Sequence, residues 1–213
     1  MRLLQLIAVG APLLSLTACS GAAYAPATTP VQPAAVATPA RGRLVTPADV
    51  QFISGMIPHH AQAVLIAGWA PTHGASPAIL RLCERVVVGQ RDEIAVMQQW
   101  LRDQGEPVPP GEATHDMMSG MDHSAHMPGM LTAEQLTRLN NATGAEFDRL
   151  FLTLMIQHHQ GAITMVQQLI NTPGAAQDNQ VFKLASDIHV DQTTEIARMQ
   201  GMLLELSLDP VGS

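Results

Sequence analysis

Hydrophobic residues recur at three- and four-residue spacing in four long segments of the chain, which is the pattern of a buried helix face. In the second segment, the positions on this face are Ile79, Leu82, Val86, Gln90, Glu93, Met97 and Trp100. No stretch has the sustained two-residue alternation, bounded by hairpin turns, that indicates a strand. The pattern therefore predicts an all-α protein.

Capping residues indicate where the helices begin and end. Thr46-Pro47 and Ser76-Pro77 each place an N-cap residue before a proline at the first helical position, so helix 1 is predicted to run to about Gly68 and helix 2 to Gly105. Thr132-x-x-Gln135 is a capping box that opens a short helix. Helices 3 and 4 are predicted over roughly 145–170 and 178–207.

The chain contains an internal repeat. Asp49-x-x-Phe52-x-x-x-Met56-Ile57-x-His59-His60 recurs with the same spacing as Asp148-x-x-Phe151-x-x-x-Met155-Ile156-x-His158-His159. Further on in each half, Gln90-x-x-Glu93-Ile94-x-x-Met97 recurs as Gln192-x-x-Glu195-Ile196-x-x-Met199. Two motifs in the same order indicate a duplication. Each repeat has the pattern of a helical hairpin, and two hairpins predict a four-helix bundle over residues 46–208.

Polar residues interrupt the apolar faces at corresponding places in the two repeats. Glu93 and Glu195 lie on the buried stripes of helices 2 and 4, and histidine pairs lie in the middle of helices 1 and 3. Burying a polar group without a partner costs roughly 2–7 kcal/mol, so these groups need each other or a metal. A His–Glu hydrogen-bond network and a metal site both fit. The candidate ligands in the bundle are Met56, His59, His60, Glu93, Met155, His158, His159 and Glu195.

Adjacent histidines on a helix diverge by about 100°. One of each pair is therefore expected to point into the bundle, and the other to meet an adjacent helix or a second ion. Met56 with His60, and Met155 with His159, have the spacing of a local chelate on one helix face.

Composition excludes some functions and favours metal binding. The formal net charge is -7, which is a poor match for nucleic acid because phosphate binding needs a cationic face. The chain has 12 Met and 9 His, and a dense group of them lies in the predicted loop 106–131 between the hairpins. The candidate ligands in this loop are His115, Met117, Met118, Met121, His123, His126, Met127 and Met130. Thioether sulfur favours Cu(I), and imidazole accepts Cu(I), Cu(II) or zinc, so copper is the predicted metal, and silver would bind similarly.

The N-terminus has the pattern of an export signal. A charged residue, Arg2, precedes a short apolar run in residues 1–18, and Leu-Thr-Ala-Cys19 resembles the bacterial lipobox, in which the cysteine is acylated. An ordinary signal peptide cut near Ala23 or Ala25 is the alternative. Residues 19–45 are rich in Ala, Pro and Thr and are predicted to be a disordered tether. After export, Cys83 would be the only thiol in the folded part, and its apolar neighbours favour a core position.

The paired His-His and Gln-x-x-Glu-Ile-x-x-Met motifs resemble the bacterial domain of unknown function 305 family over about residues 46–206. The resemblance implies a ferritin-like four-helix fold and, as in some members, copper binding outside the cytoplasm. It would place metal-associated positions at Met56, His59, His60, Met155, His158 and His159. Pro58 in helix 1 stands where helix 3 has Gln157, so the two half-sites need not be equivalent.

These observations lead us to expect a lipid-anchored protein of the cell envelope that sequesters copper or exchanges it with another envelope protein, without catalysing a reaction. One alternative is a ferritin-like redox enzyme with a dinuclear metal centre. Against it, none of the predicted bundle helices contains a Glu-x-x-His motif, and the other carboxylates of the repeated motifs, Asp49 and Asp148, lie near helix starts. Another alternative is a metal-free interaction protein whose histidines sense pH.

Overall fold

Five α-helices and one 3-10 turn make up the part of the chain that the computed structural model describes, residues 45–113 and 127–208. The helices are α1 (Pro47–Ala67), α2 (Pro77–Gln104), α3 (Ala133–Asn141), α4 (Gly144–Asn171) and α5 (Asn179–Leu208), and the turn is Ala70–Thr72. Within these ranges there is no strand, so the predicted all-α fold class is confirmed. Residues 1–18, the tether up to residue 44 and the lipobox cysteine Cys19 lie outside the described residues.

Side-chain caps start α1, α2 and α3 where the sequence predicts. The Thr46 hydroxyl accepts a hydrogen bond from the Asp49 amide (3.3 Å), and the Asp49 carboxylate accepts one from the Thr46 amide (2.7 Å), which completes a capping box at the start of α1. Thr132 and Gln135 form the predicted box at the start of α3. At the other end of α2, Gly105 has a φ of 72°, a left-handed conformation that glycine adopts without strain. Pro58 lies inside α1 without ending it.

The bundle is assembled from two helical hairpins. α1 packs on α2, α4 packs on α5, and the hairpins meet where α1 packs on α4. The core consists of two hydrophobic clusters, one containing Phe52, Met56, Met97 and Ile188, the other Val86, Phe151, Met155 and Met199. On each of the four long helices, the buried histidines and glutamines fall between the stretch that joins one cluster and the stretch that joins the other.

The repeated aspartates at the helix starts tie the hairpins together. Asp49 of the first repeat accepts a hydrogen bond from the Ala176 amide in the loop of the second hairpin (2.7 Å). Asp148 of the second repeat accepts from the Ser76 amide in the loop of the first hairpin (3.2 and 3.3 Å to its two oxygens). Both aspartates are buried, so each carboxylate satisfies a backbone donor that water could not easily reach. Their positions at the ends of the bundle separate them from the histidine pairs in its middle.

None of the described helices is long and apolar enough to cross a membrane. Cys83 is buried in the second hydrophobic cluster, where burial raises the pKa of its thiol to about 12. A thiol with so high a pKa is a poor source of the thiolate that binds metals.

Candidate metal centre

Four histidines form a buried layer across the middle of the bundle. His59 and His60 lie on α1 and His158 and His159 on α4, and all four are fully inaccessible to solvent. The rings of His59 and His158 meet where the two helices pack, with centroids 3.9 Å apart and planes tilted by 38°. We refer to His59 and His158 as the inner pair, and to His60 and His159 as the outer pair.

Each histidine of the outer pair is hydrogen-bonded to a glutamate of its own hairpin. The distance from Nε2 to a carboxylate oxygen is 2.6 Å both for His60 with Glu93 on α2 and for His159 with Glu195 on α5. Because a carboxylate accepts, Nε2 carries the proton, and in a neutral ring Nδ1 then holds a free lone pair. Burial lowers the pKa of His159, and Glu195 opposes that effect in part.

The Nδ1 atoms of both outer histidines are buried and have no hydrogen-bond partner among the described residues. A carboxylate on one ring nitrogen and a free lone pair on the other is the arrangement of metal-binding histidines, in which the carboxylate fixes the ring and makes the lone pair more basic. Glu93 and Glu195 thus lie where they would orient ligands, rather than beside the free lone pairs.

The inner pair is the more deeply desolvated one. His59 donates from Nε2 to the Pro128 carbonyl (3.1 Å), and burial, with a contribution from His60, lowers its pKa to about 3. Burial and the neighbouring His59 hold the pKa of His158 well below its usual range. Both rings are therefore neutral at pH 7. In the part of the chain that the structure describes, Nδ1 of His59 and both ring nitrogens of His158 make no hydrogen bond of good geometry, although the His59 backbone opposes the lowered pKa of His158 in part.

Residues 127–131, which we name the strap, cross the bundle over the inner pair. Gln62 on α1 binds Leu131 through two hydrogen bonds, one to its carbonyl (3.2 Å) and one from its amide (2.8 Å). On α4 the strap lies so close that a Cβ added to Gly161 would be 2.1 Å from the Pro128 carbonyl oxygen. Only glycine allows this approach. The strap therefore covers His59 and holds the Pro128 carbonyl against it.

The predicted thioether ligands lie in different surroundings. Met56 and Met155 are fully buried, one turn before His60 and His159 on the same helices. In the strap, Met130 is buried and Met127 is half-buried. The other predicted loop ligands, His115, Met117, Met118, Met121, His123 and His126, lie outside the described residues.

Within residues 45–113 and 127–208, no three His, Cys, Asp or Glu side chains are grouped so that they could hold a metal ion by themselves. The imidazoles of the layer come instead as two pairs of adjacent histidines, and Met56 and Met155 lie one helical turn away. A soft, low-coordinate ion such as Cu(I) fits sulfur and imidazole donors of this kind better than a hard ion that needs many oxygen ligands.

A groove of about 970 Å³ is lined by α2 and α5, whereas the strap contacts α1 and α4. It is lined by Gln90, Glu93, Gln192 and Glu195, so the glutamates of the outer pairs face it. Partial burial raises the pKa of Asp191 in this groove, and the nearby Glu93 and Glu195 raise it further. Six carboxylates and three basic side chains line the groove, so it is on balance an acidic approach to the outer histidines.

Sequence reasoning missed the residues that position the strap, Gln62, Pro128 and Gly161. None of these three residues has an identical counterpart in the other half of the chain, so a search for repeated motifs does not select them. Comparing the repeats for differences would have found two of them, because Gln62 and Gly161 occupy equivalent positions after the two histidine pairs.

Comparison with known proteins identifies the family. The profile of the family described as "Domain of unknown function (DUF305)" matches residues 49–203. This match covers most of the chain, which therefore belongs to the DUF305 family. A curated relative, an uncharacterized protein of Acanthamoeba polyphaga mimivirus, is 34% identical over 53 residues, which are 25% of this chain and 35% of the relative. The match thus spans only about a third of that relative.

Solved structures resemble the chain over most of its length. A DUF305 fragment from Deinococcus radiodurans is 30% identical with a TM-score of 0.63, covering 76% of this chain and 98% of the fragment. A DUF305 protein from Streptomyces coelicolor, described as secreted, is 26% identical with a TM-score of 0.63. The match covers 74% of this chain and 93% of that protein. CopM in its Cu(I)-bound form is 28% identical with a TM-score of 0.56. The match covers 74% of this chain and 96% of CopM. CopM has also been solved with silver and with Cu(II).

Proposed function

We propose that this DUF305 protein binds copper in the cell envelope, as Cu(I) or Cu(II), and either sequesters it or passes it to another envelope protein. The observation that carries the proposal is the set of buried, neutral imidazoles whose Nδ1 lone pairs have no partner among the described residues. Leaving such groups unpaired costs stability, and a metal ion would satisfy them.

Three further features support copper over other metals. The buried histidines lie near thioethers, which bind Cu(I) but are poor ligands for magnesium or calcium. The Met/His-rich segment adds donors of the same kind. CopM, a structural relative, binds Cu(I), Cu(II) and silver. Silver should therefore compete with Cu(I) here, and zinc could bind the imidazoles alone.

Competition titration with a Cu(I)-specific chelator tests the proposal. Wild type should retain Cu(I) against the chelator, and His59→Gln should weaken the tightest site because it removes a buried donor, the free Nδ1. His73→Gln is the matched control, since both ring nitrogens of His73 lie within hydrogen-bond distance of backbone carbonyls away from the layer. Wild type that releases all Cu(I), or equal retention by the two variants, would contradict the proposal. A thermal melt of each variant verifies folding.

Removing residues 115–126, which leaves the strap intact, separates the two donor sets. If the segment captures ions for the bundle, the deletion should lower the number of Cu(I) ions bound but keep the tightest one. Loss of the tightest site in this variant would place the main site in the segment instead.

The proposal also includes the absence of turnover. Glu93 and Glu195 are engaged by histidines, and Asp49 and Asp148 anchor loops, so the four repeated carboxylates are not gathered around a dinuclear centre. Oxygen consumption by the copper-loaded protein would contradict it.

Anchoring through an acylated Cys19 is part of the same proposal. Palmitate labelling and membrane fractionation of wild type and Cys19→Ala in a bacterial host test it. Wild type should be labelled with palmitate and should fractionate with membranes. Cys19→Ala should not be labelled and should not fractionate with membranes.

A further inference from the structure

Among the positions at which the two repeats differ, three near the histidine layer bear on the strap and its contacts. Gly55, Gln62 and Ile66 on α1 correspond to Leu154, Gly161 and Met165 on α4. Gln62 and Gly161 hold the strap. The other two differences place a glycine on α1 and a methionine on α4, and these two residues meet.

Gly55 leaves a notch in α1 into which two thioethers reach. A Cβ added at Gly55 would lie 3.5 Å from the Met165 Cε atom and 3.8 Å from the Met127 Sδ atom. Met165 comes from α4 and is only 8% exposed, and Met127 is the first residue of the strap. Two side chains from distant parts of the sequence thus converge on one point of α1, where the first repeat lacks a side chain.

The inner histidine His59 lies one turn after Gly55 on α1. It binds the carbonyl of Pro128, the strap residue that follows Met127, so consecutive strap residues contact consecutive turns of the helix. Its Nδ1 is buried and finds no partner in the described part of the chain. Two thioether side chains and the His59 ring therefore lie around one junction of α1, α4 and the strap, and the Nδ1 of this ring is free.

We propose that Met127, Met165 and His59 form a low-coordinate site for Cu(I) or Ag(I) at this junction. This inference rests on the proposed function and adds to it a specific ligand set, including Met165, which the repeated motifs do not contain. Thioether and imidazole donors suit a soft monovalent ion. Gln62 and Gly161 act as positioning residues, because they fix the strap and with it the Met127 sulfur.

The competing explanation is that these methionines only fill space, as flexible methionines often do. Leucine distinguishes the two roles, because it has a similar volume and usually costs less than about 1.5 kcal/mol in a core but has no sulfur. Met127→Leu and Met165→Leu therefore remove the donors and keep most of the packing. Met202→Leu is the matched control, a partly buried methionine on α5 that packs on the second hydrophobic cluster.

The experiment is chelator competition with Cu(I) on the full chain, together with X-ray absorption to count sulfur ligands. Met127→Leu and Met165→Leu should each weaken the tightest site at least about tenfold, since even residues that merely orient ligands contribute 10–100-fold. Each should also lower the sulfur count, and Met202→Leu should do neither. If wild type binds Cu(I) but one or both of these variants match the control, this site is wrong while the proposed function stands. If wild type binds none, both fail.

Gly55→Leu provides an independent test, because it keeps every donor and fills the notch with the residue of the second repeat. The two thioethers must move apart to accommodate it. We expect a folded helix and a Cu(I) affinity as low as that of Met165→Leu. Wild-type affinity in this variant would overturn the inference.

Discussion

The two sides of the histidine layer differ in symmetry. On the groove side, the outer pair has the same environment in both repeats, with a glutamate at 2.6 Å from each Nε2. On the strap side, His59 donates to a backbone carbonyl of the strap, whereas His158 makes no hydrogen bond of good geometry among the described residues. Duplication therefore accounts for the outer pair, whereas the connection between the hairpins makes the inner pair unequal.

This difference indicates where a specific site can arise in a duplicated bundle. A symmetric layer offers equivalent donors, and their spacing is fixed by helix packing. A segment that occurs once can add a donor to one half only, and Gly55 and Gly161 on the long helices make room for it. The following predictions test how far the two sides differ.

The largest expected effect is a loss of stability in acid for the metal-free protein. His59, His158 and His159 have lowered pKa values in the folded state, so between pH 6.5 and about 3 the unfolded chain binds more protons than the folded one. The free energy of unfolding should therefore fall as pH falls through this range, by about 1.4 kcal/mol per pH unit for each histidine that stays neutral. Urea unfolding at several pH values measures this slope.

The same experiment on a variant measures what the inner pair contributes to this slope. His59→Gln should make the slope shallower by about one proton, because a histidine whose pKa burial lowers has been removed. A wild-type stability that is flat below pH 6 would show that these imidazoles are not held neutral.

The next largest effect concerns the aspartates that tie the hairpins together. Asp49→Ala should lower the free energy of unfolding by about 3 kcal/mol, because it removes a capping box and leaves the buried Ala176 amide unpaired. Asp148→Ala should cost about half as much, since Asp148 makes only longer bonds to Ser76. Equal losses in urea unfolding would mean that the two anchors are equivalent despite their different geometry.

Much of this molecule follows from the sequence, for identifiable physical reasons. Helix periodicity and caps such as Thr46 and Ser76 are local, so the helices begin where they are predicted. The 100° divergence of neighbouring histidines is also local, and it separates the inner from the outer pair as expected. The sequence does not show whether Glu93 and Glu195 bind a metal or accept hydrogen bonds from histidines. Both roles require the same spacing along the chain.

The strap could not be predicted, because its contacts join residues that are far apart in sequence. Gln62 and Leu131 are an example, with no periodicity to relate them. Gly161 in a helix predicts only a weaker helix, and its role becomes evident only from the backbone that crosses it.

Gly161→Ala should therefore have a moderate effect, about 2 kcal/mol. The new methyl group would collide with the Pro128 carbonyl, so the strap must move and the hydrogen bond to His59 is lost. Gly201→Ala on α5 is the matched control, since nothing lies within 4 Å of its added Cβ, and it should stabilise the protein by roughly 0.5–1 kcal/mol. If both substitutions stabilise the protein, the strap is not held as described. Hydrogen exchange at the Leu131 amide, which donates to Gln62, measures directly whether the strap has moved.

The smallest effect is expected from the glutamates of the outer pair, and it tests the symmetry of the groove side. Glu93→Gln and Glu195→Gln each replace a charged acceptor with a neutral one, which should cost about 1 kcal/mol because charge-assisted hydrogen bonds are the stronger ones. Since the two bonds have the same length and similar exposure, the two losses should agree within about 0.5 kcal/mol in urea unfolding. A clear difference between them would mean that the strap side also affects the groove side, and that the two half-sites are unequal throughout the layer.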